Sequence, residues 1–225
     1  MKISIIIPVF NPNKKIFGRV KEYLRDNVKG VEIIEIDGVG GLANAYNKGI
    51  KKAKGDIVIT IHQDCIPLDK DSIKKLTLPF ENPGVIMTFS WIKDHETGRK
   101  YFPLPPDGKF VAYRKSAIVD VGMFDEKTFF TGGEDVDMWL KLKEKGAIKQ
   151  VETGIIHIHR GYLGNKTLEK RKQNGSINGA LLRIWGVKNP KWAKSLIMCL
   201  IHPFSYGKFF IRAFFSGKQK YRREE

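Results

Sequence analysis

Two kinds of hydrophobic pattern alternate along the first half of the chain. Residues 3–10 and 57–61 are apolar or β-branched at nearly every position. That is the pattern of strands buried on both faces. Residues 31–36, 85–91 and 110–113 read as further strands. Between them the apolar positions take helical spacing: Ile16, Val20, Tyr23 and Leu24 after a capping Asn13, then Leu42, Tyr46, Ile50 and Ala53. A short helix capped by Asp69 or Asp71 is expected to run through Leu78. A later one, with Trp139, Leu140, Leu142 and Lys143, is expected to end at Gly146. Residues 93–109 hold three prolines and two glycines with no period, which predicts a long loop. Residues 155–159 are extended, with His157 and His159 on one face.

Strands alternating with helices predict an α/β fold: a doubly wound, mostly parallel sheet flanked by helices. Right-handed crossovers then gather the strand carboxyl ends on one rim, bringing Asn11, Asp37 and Asp64 together. Open sheets of this kind bind ligands there.

From Trp192 the pattern changes. Leu196, Ile197, Leu200 and Ile201 form one apolar stripe, and His202-Pro203 breaks the helix. Phe210, Ile211, Phe214 and Phe215 form a second stripe beside Lys208 and Arg212. The chain therefore divides into residues 1–165, a ligand-binding domain, and 166–225, a small basic amphipathic helical segment suited to a membrane surface.

Charge reinforces that division. The net charge is +16, and residues from Lys166 onward hold 14 of the 40 Lys and Arg but only 3 of the 24 Asp and Glu. Phosphates, anionic lipid or nucleic acid could partner such a segment. No motif that reads RNA or DNA is present, so no nucleic-acid partner is expected. The two cysteines lack metal-finger spacing, which predicts a reducing compartment and no structural zinc. The start runs straight into a strand, and no apolar run reaches the roughly 18 residues of a membrane span. The expectation is a cytoplasmic protein without a signal peptide, peripheral on the cytoplasmic face of the cell membrane.

Three groups could carry chemistry. Asp37 and Asp64, at strand ends, suit a nucleotide or a hard divalent cation beside a diphosphate. Gly132-Gly133-Glu134-Asp135-Val136-Asp137 sets acids at a helix start, where they could deprotonate a hydroxyl, beside glycines that admit a ligand to the backbone. His157 and His159 suit a metal or a phosphate. HExxH, GxSxG and P-loop signatures are absent.

Four stretches resemble the family-two, inverting glycosyltransferases of GT-A fold. Ser4 to Asn11 resembles their first strand, and Ala45-Tyr46-Asn47-Lys48-Gly49 their A-R-N-x-G helix. Residues 55–64 resemble the G-D-strand-D-x-D segment. Gly122-Met-Phe-Asp-Glu126 with Gly133-Glu-Asp-Val-Asp137 resembles the G-x-F-D-E…ED-x-D block. The order and spacing agree over about residues 3–160. Tyr46 stands where the family has Arg, and His62 where it has the first acid of D-x-D.

The resemblance implies sugar transfer from a nucleotide-diphosphate donor to a glycan or lipid-linked acceptor hydroxyl, in cell-surface polysaccharide, glycolipid or glycan synthesis. It implies donor binding at Pro8, Val9, Phe10, Asn11, Asp37, Asn47, His62 and Gln63. Mn2+ or Mg2+ would sit at Asp64 with His157 or His159. Asp135 would be the general base, and Glu134 would orient the acceptor. The alternatives are a non-catalytic nucleotide-sugar-binding homologue, raised by His62, and a sugar-nucleotide nucleotidyltransferase. The latter would carry a glycine-rich loop where this chain has Asn11-Pro12-Asn13.

Overall fold

The structure is a computed structural model describing residues 1–130, 132–158 and 168–219. Its first half is β1 (Ile3–Val9), α1 (Lys14–Asn27), β2 (Glu32–Asp37), α2 (Leu42–Lys52), β3 (Ile57–Ile61), β4 (Cys65–Pro67) and α3 (Ser72–Thr77). Then follow β5 (Val85–Asp94), β6 (Lys100–Tyr101), β7 (Phe110–Arg114), α4 (Lys115–Asp120), α5 (Glu134–Leu142) and β8 (Ala147–His157). The chain closes with α6 (Leu168–Trp185), α7 (Trp192–Ile201) and α8 (Lys208–Ser216).

One sheet runs in the order β2-β1-β3-β7-β5-β8-β4, with β6 on β5. β1 pairs in parallel with β2 and β3, placing Val9 opposite Asp37 on a common rim. β7 is antiparallel to both β3 and β5, and β5 is parallel to β8. Most strands therefore share one direction, as the alternation predicted.

Both faces of the sheet are covered. Ile5, Ile7, Ile57, Ile59 and Ile61 pack with Phe17, Val20 and Leu24 of α1 on one face. Ile6 and Val58 pack with Tyr46 and Ile50 of α2 on the other. Consecutive strand residues serve opposite cores, which is why these runs are apolar throughout. Asn13 caps α1, its Oδ1 accepting from the amides of Lys15 and Ile16.

Several boundaries differ from the expectations. α1 buries Phe17, with Ile16 only half-buried. α3 stops at Thr77, and Asp71 stands at its N-cap position without a side-chain bond. The helix expected to reach Gly146 ends at Leu142. β5 extends to Asp94 and pairs with β6, so the 93–109 loop is shorter than its composition suggested. β8 begins at Ala147, eight residues before the Ile-His stretch, because its mostly exposed first part pairs with β5 from Val85 onward.

The C-terminal helices pack on the sheet domain. Phe129, Val136 and Leu140 share a core with Ala180 and Leu181 of α6 and Ala213 of α8. Trp185 Nε1 donates to Asp137 Oδ1 at 2.9 Å, and Asp137 also pairs with Lys141 at 2.6 Å. A Cβ on Gly179 would lie 2.2 Å from the carbonyl oxygen of Phe210, and one on Gly175 would lie 2.4 Å from that of Tyr206. Only glycine lets α6 lie this close to the chain that becomes α8.

Candidate active site

The site begins where β3 ends. Gln63 reaches across to β1: its Oε1 accepts from the Phe10 amide at 2.9 Å and its Nε2 donates to the Phe10 carbonyl at 2.7 Å. This clamp holds the rim backbone where Phe10 and Asn11 are exposed and Asn11 takes a left-handed φ of 40°. Pro8 and Val9 are buried just beneath. Asp37 is exposed at the same rim and accepts from the Gly38 amide at 2.7 Å. Asn47 is buried elsewhere: it binds Phe124 through both backbone groups, at 2.8 and 3.0 Å, and so fastens α2 to the turn before α5.

Asp64 sits beside β8. Its Oδ2 lies 3.6 Å from His157 Nε2, and the β4–β8 ladder sets Cys65 opposite His157. One ligand atom from each of Asp64, Cys65 and His157 falls within 4.8 Å of the others. Burial opposes ionisation of Asp64, but the hydrogen bond from His157 and the nearby His62 hold its carboxyl well below the usual range. Burial pushes the Cys65 thiol well up, so it stays protonated. A carboxylate with an imidazole fits Mn2+, and less closely Mg2+, with remaining positions left to oxygen ligands. His159 lies outside the described residues.

The two positions that depart from the family pattern meet each other. Tyr46 Oη is 2.7 Å from His62 Nε2. Burial lowers His62 to about 4, with Lys109 adding to the effect, and burial also holds the Tyr46 phenol well above its usual value. The pair is neutral, unlike the Arg and Asp it replaces.

From this pair a hydrogen-bonded path runs to the acids of α5. Tyr46 Oη donates to the Gly108 carbonyl at 3.3 Å, and Thr60 Oγ1 donates to the same oxygen at 2.8 Å. The Gly108 amide then donates to Asp135 Oδ2 at 3.4 Å. Asp135 Oδ1 accepts from the Val136 amide at 2.8 Å.

Flanking Gly108 are Asp107 and Lys109, an ion pair the sequence reading missed. Burial opposes both charges, yet each holds the other ionised: Asp107 is lowered and Lys109 raised. Burial and the neighbouring Asp135 push Glu134 up to about 8, and burial with Asp107 raises Asp135 as well. Glu134 is 3% exposed, and its Oε2 has no hydrogen-bond partner among the described residues. Two amides, of Gly108 and Val136, donate to Asp135 and favour its charged form.

Asp135, Asp107, Lys109 and His62 open into a cleft of about 780 Å³ whose far wall is α6 and α7. That volume suits a small-molecule substrate. Asp37 and Asp64 do not line it: Asp37 stays on the rim, and Asp64 lies behind His62, close enough for its charge to act on that ring. Gly132 and Gly133 line the cleft, and they are also packed tightly against α6. A Cβ on either would meet Ile177 of α6, at 2.9 and 2.8 Å.

Residues 19–134 match the sequence profile of glycosyl transferase family 2, just over half of the chain. Among solved structures, GalNAc-T7 crystallised with UDP, GalNAc and Mn2+ aligns over 96% of this chain with a TM-score of 0.63 and 13% identity. This chain spans 57% of the length of that protein. Glucosyl-3-phosphoglycerate synthase from Mycobacterium tuberculosis, crystallised with Mg2+ and UDP, aligns over 80% of this chain and 78% of its own, with a TM-score of 0.59 and 17% identity. At these identities the likeness is one of fold. No curated protein matches the chain in sequence.

Proposed function

The chain belongs to glycosyl transferase family 2, and from that membership we propose that it moves a sugar from a nucleoside-diphosphate donor to an acceptor hydroxyl, inverting the anomeric carbon. Asp135 carries this reading. It is a carboxylate on the wall of a substrate-sized cleft, joined through Gly108 and Tyr46 to the strand end that bears His62 and Asp64. GalNAc-T7 and the mycobacterial synthase were crystallised with UDP and a divalent cation, which supports a comparable donor and cation here.

In the reaction the acceptor hydroxyl gives its proton to Asp135 as its oxygen bonds to the anomeric carbon. The bond from that carbon to the diphosphate oxygen breaks on the opposite side, and its electron pair leaves with the nucleoside diphosphate. Protonated Glu134 leaves Asp135 as the single negative charge of the pair and orients the acceptor. The Gly108 amide fixes the direction of the Asp135 carboxylate. At the rim, the Gln63 clamp presents Phe10 and Asn11 to the nucleotide, with Asp37 beside them. Asp64 and His157 would hold a divalent cation, which when bound offsets the charge gathering on the leaving diphosphate.

Residues 1–165 form the donor-binding unit in this reading, and residues 166–225 attach it to the cytoplasmic face of a membrane. The product belongs to cell-surface polysaccharide, glycolipid or glycan synthesis. A second reading, binding of nucleotide sugar without transfer, is favoured by one observation: His62 Nε2 is engaged by Tyr46 where the family places an acid.

Thermal-shift screening against nucleoside-diphosphate sugars, with and without Mn2+, tests the proposal. At least one donor should raise the melting temperature in a Mn2+-dependent way, since binding at a hundredfold excess over Kd adds about 2.7 kcal/mol. Failure of every donor to do so would remove both readings.

A further inference from the structure

α7 has two working faces. Lys191 at its start, then Lys194, Ser195 and Met198, recur at helical spacing and line the cleft that holds Asp135. Away from the cleft it carries Leu196, Ile197 and Leu200, 44, 55 and 82% exposed, with Ile201, 60% exposed, at the edge seven residues after Lys194, and Phe204 just beyond is 85% exposed. Ile211 and Phe215 of α8 are also exposed, at 53 and 78%. Exposed Lys194, Lys208 and Arg212 lie among these residues in sequence. A contiguous apolar surface of this kind marks a binding face, and flanking cations make it complementary to an anionic bilayer.

One ten-residue helix thus separates the cleft from the apolar surface by its own diameter of ~10 Å. Lys191 also lies near enough to Asp135 for its charge to favour the ionised carboxylate. An acceptor with a phosphate near its reactive hydroxyl would place the phosphate on Lys191 and Lys194 and the hydroxyl on Asp135.

From these observations we infer that the acceptor is a phosphate-bearing lipid, met at an anionic membrane surface, with α7 serving both as the docking face and as the wall of the acceptor site. This deepens the glycosyl-transfer reading and rests on it. The bilayer anchors the outer face through Leu200 and Phe204, and the lipid headgroup reaches the cleft past the lysines. The segment is therefore part of the substrate site, and deleting it would remove the cleft wall together with any anchor. Point variants are the appropriate test.

The full chain is floated with vesicles of phosphatidylcholine alone and with a third phosphatidylglycerol. It should float with the anionic vesicles only, and Leu200→Glu with Phe204→Glu should weaken that binding at least about tenfold, the factor expected for losing one inserted large apolar side chain. Independently, dodecyl phosphate below its micelle concentration should protect the protein in a thermal shift where inorganic phosphate does not. Lys191→Glu with Lys194→Glu should abolish that protection. Equal flotation with both vesicles, protection by inorganic phosphate, or protection surviving the lysine variant overturns the inference. So does a concentration-dependent dimer that Leu200→Glu dissolves, which would make the face an interface between copies. Mn2+-dependent UDP binding, measured on the same samples, reports the underlying glycosyl-transfer reading separately, and the Leu200 and Phe204 variants should retain it.

Discussion

Replacing Tyr46 with phenylalanine removes one oxygen from the centre of the site. That oxygen lies 2.7 Å from His62 Nε2 and 3.3 Å from the Gly108 carbonyl. Thr60 still serves the carbonyl, at 2.8 Å, but among the described residues His62 Nε2 has no other hydrogen-bond partner. Leaving a buried polar group unpaired costs about 1–3 kcal/mol. For a chain of this size that lowers the melting temperature by roughly 2–12 °C, at about 2–4 °C per kcal/mol. His62→Leu should cost less, because the Tyr46 hydroxyl keeps the Gly108 carbonyl, at 3.3 Å, as its acceptor. Once either partner is gone, losing the second costs less, so the double variant should be more stable than the sum of the singles predicts. A coupling of about 0.5–3 kcal/mol is expected for groups in direct contact. Urea denaturation of the four proteins measures it. Additivity within about 0.3 kcal/mol would refute the idea that Tyr46 and His62 act as one neutral pair.

Glu134 should leave a mark on the pH dependence of stability. Its folded pKa, about 8, lies above its ordinary 4.5, so between those values the folded state holds a proton the unfolded state has lost. Stability should therefore fall as pH rises through that window, and melting curves of Glu134→Gln should show a shallower fall than those of the parent; identical slopes would count against it. Gly179→Ala places a Cβ 2.2 Å from the Phe210 carbonyl oxygen, so it should cost about 1–3 kcal/mol through forced separation of helices, read by denaturation; an unchanged midpoint would contradict the close packing. Asp64→Ala should abolish Mn2+-dependent protection by UDP, seen in a thermal shift, while leaving the protein folded.

The sheet was legible because its central strands are buried on both faces: 3–9 and 57–61 have almost no polar position to obscure them. β8 was legible only at its end. Its first six residues, Ala147-Ile-Lys-Gln-Val-Glu, mix three apolar with three polar positions and are mostly exposed, so their pattern resembles a loop. Glu134 and Asp135 stood out as acids at a helix start. Asp107 and Lys109 did not, because their loop has no period and their pairing depends on burial beside His62. The only local signal was a charged pair around a glycine directly before a strand. Tyr46 and His62 were visible as two separate departures from a family pattern, and only three-dimensional contact makes them one feature. The C-terminal segment was read as an appendage because its apolar stripes drew attention outward. Gly175 and Gly179, spaced four apart, were the available sign that α6 packs closely on something.

The central claim is that Asp135 takes the acceptor proton. The direct measurement is sugar transfer by the parent protein and by Asp135→Asn, with donor binding followed in parallel. The variant should bind the donor as the parent does and lose transfer by about 10²–10⁴-fold, the usual contribution of a positioned general base. Transfer at the parental rate by Asp135→Asn would contradict the account.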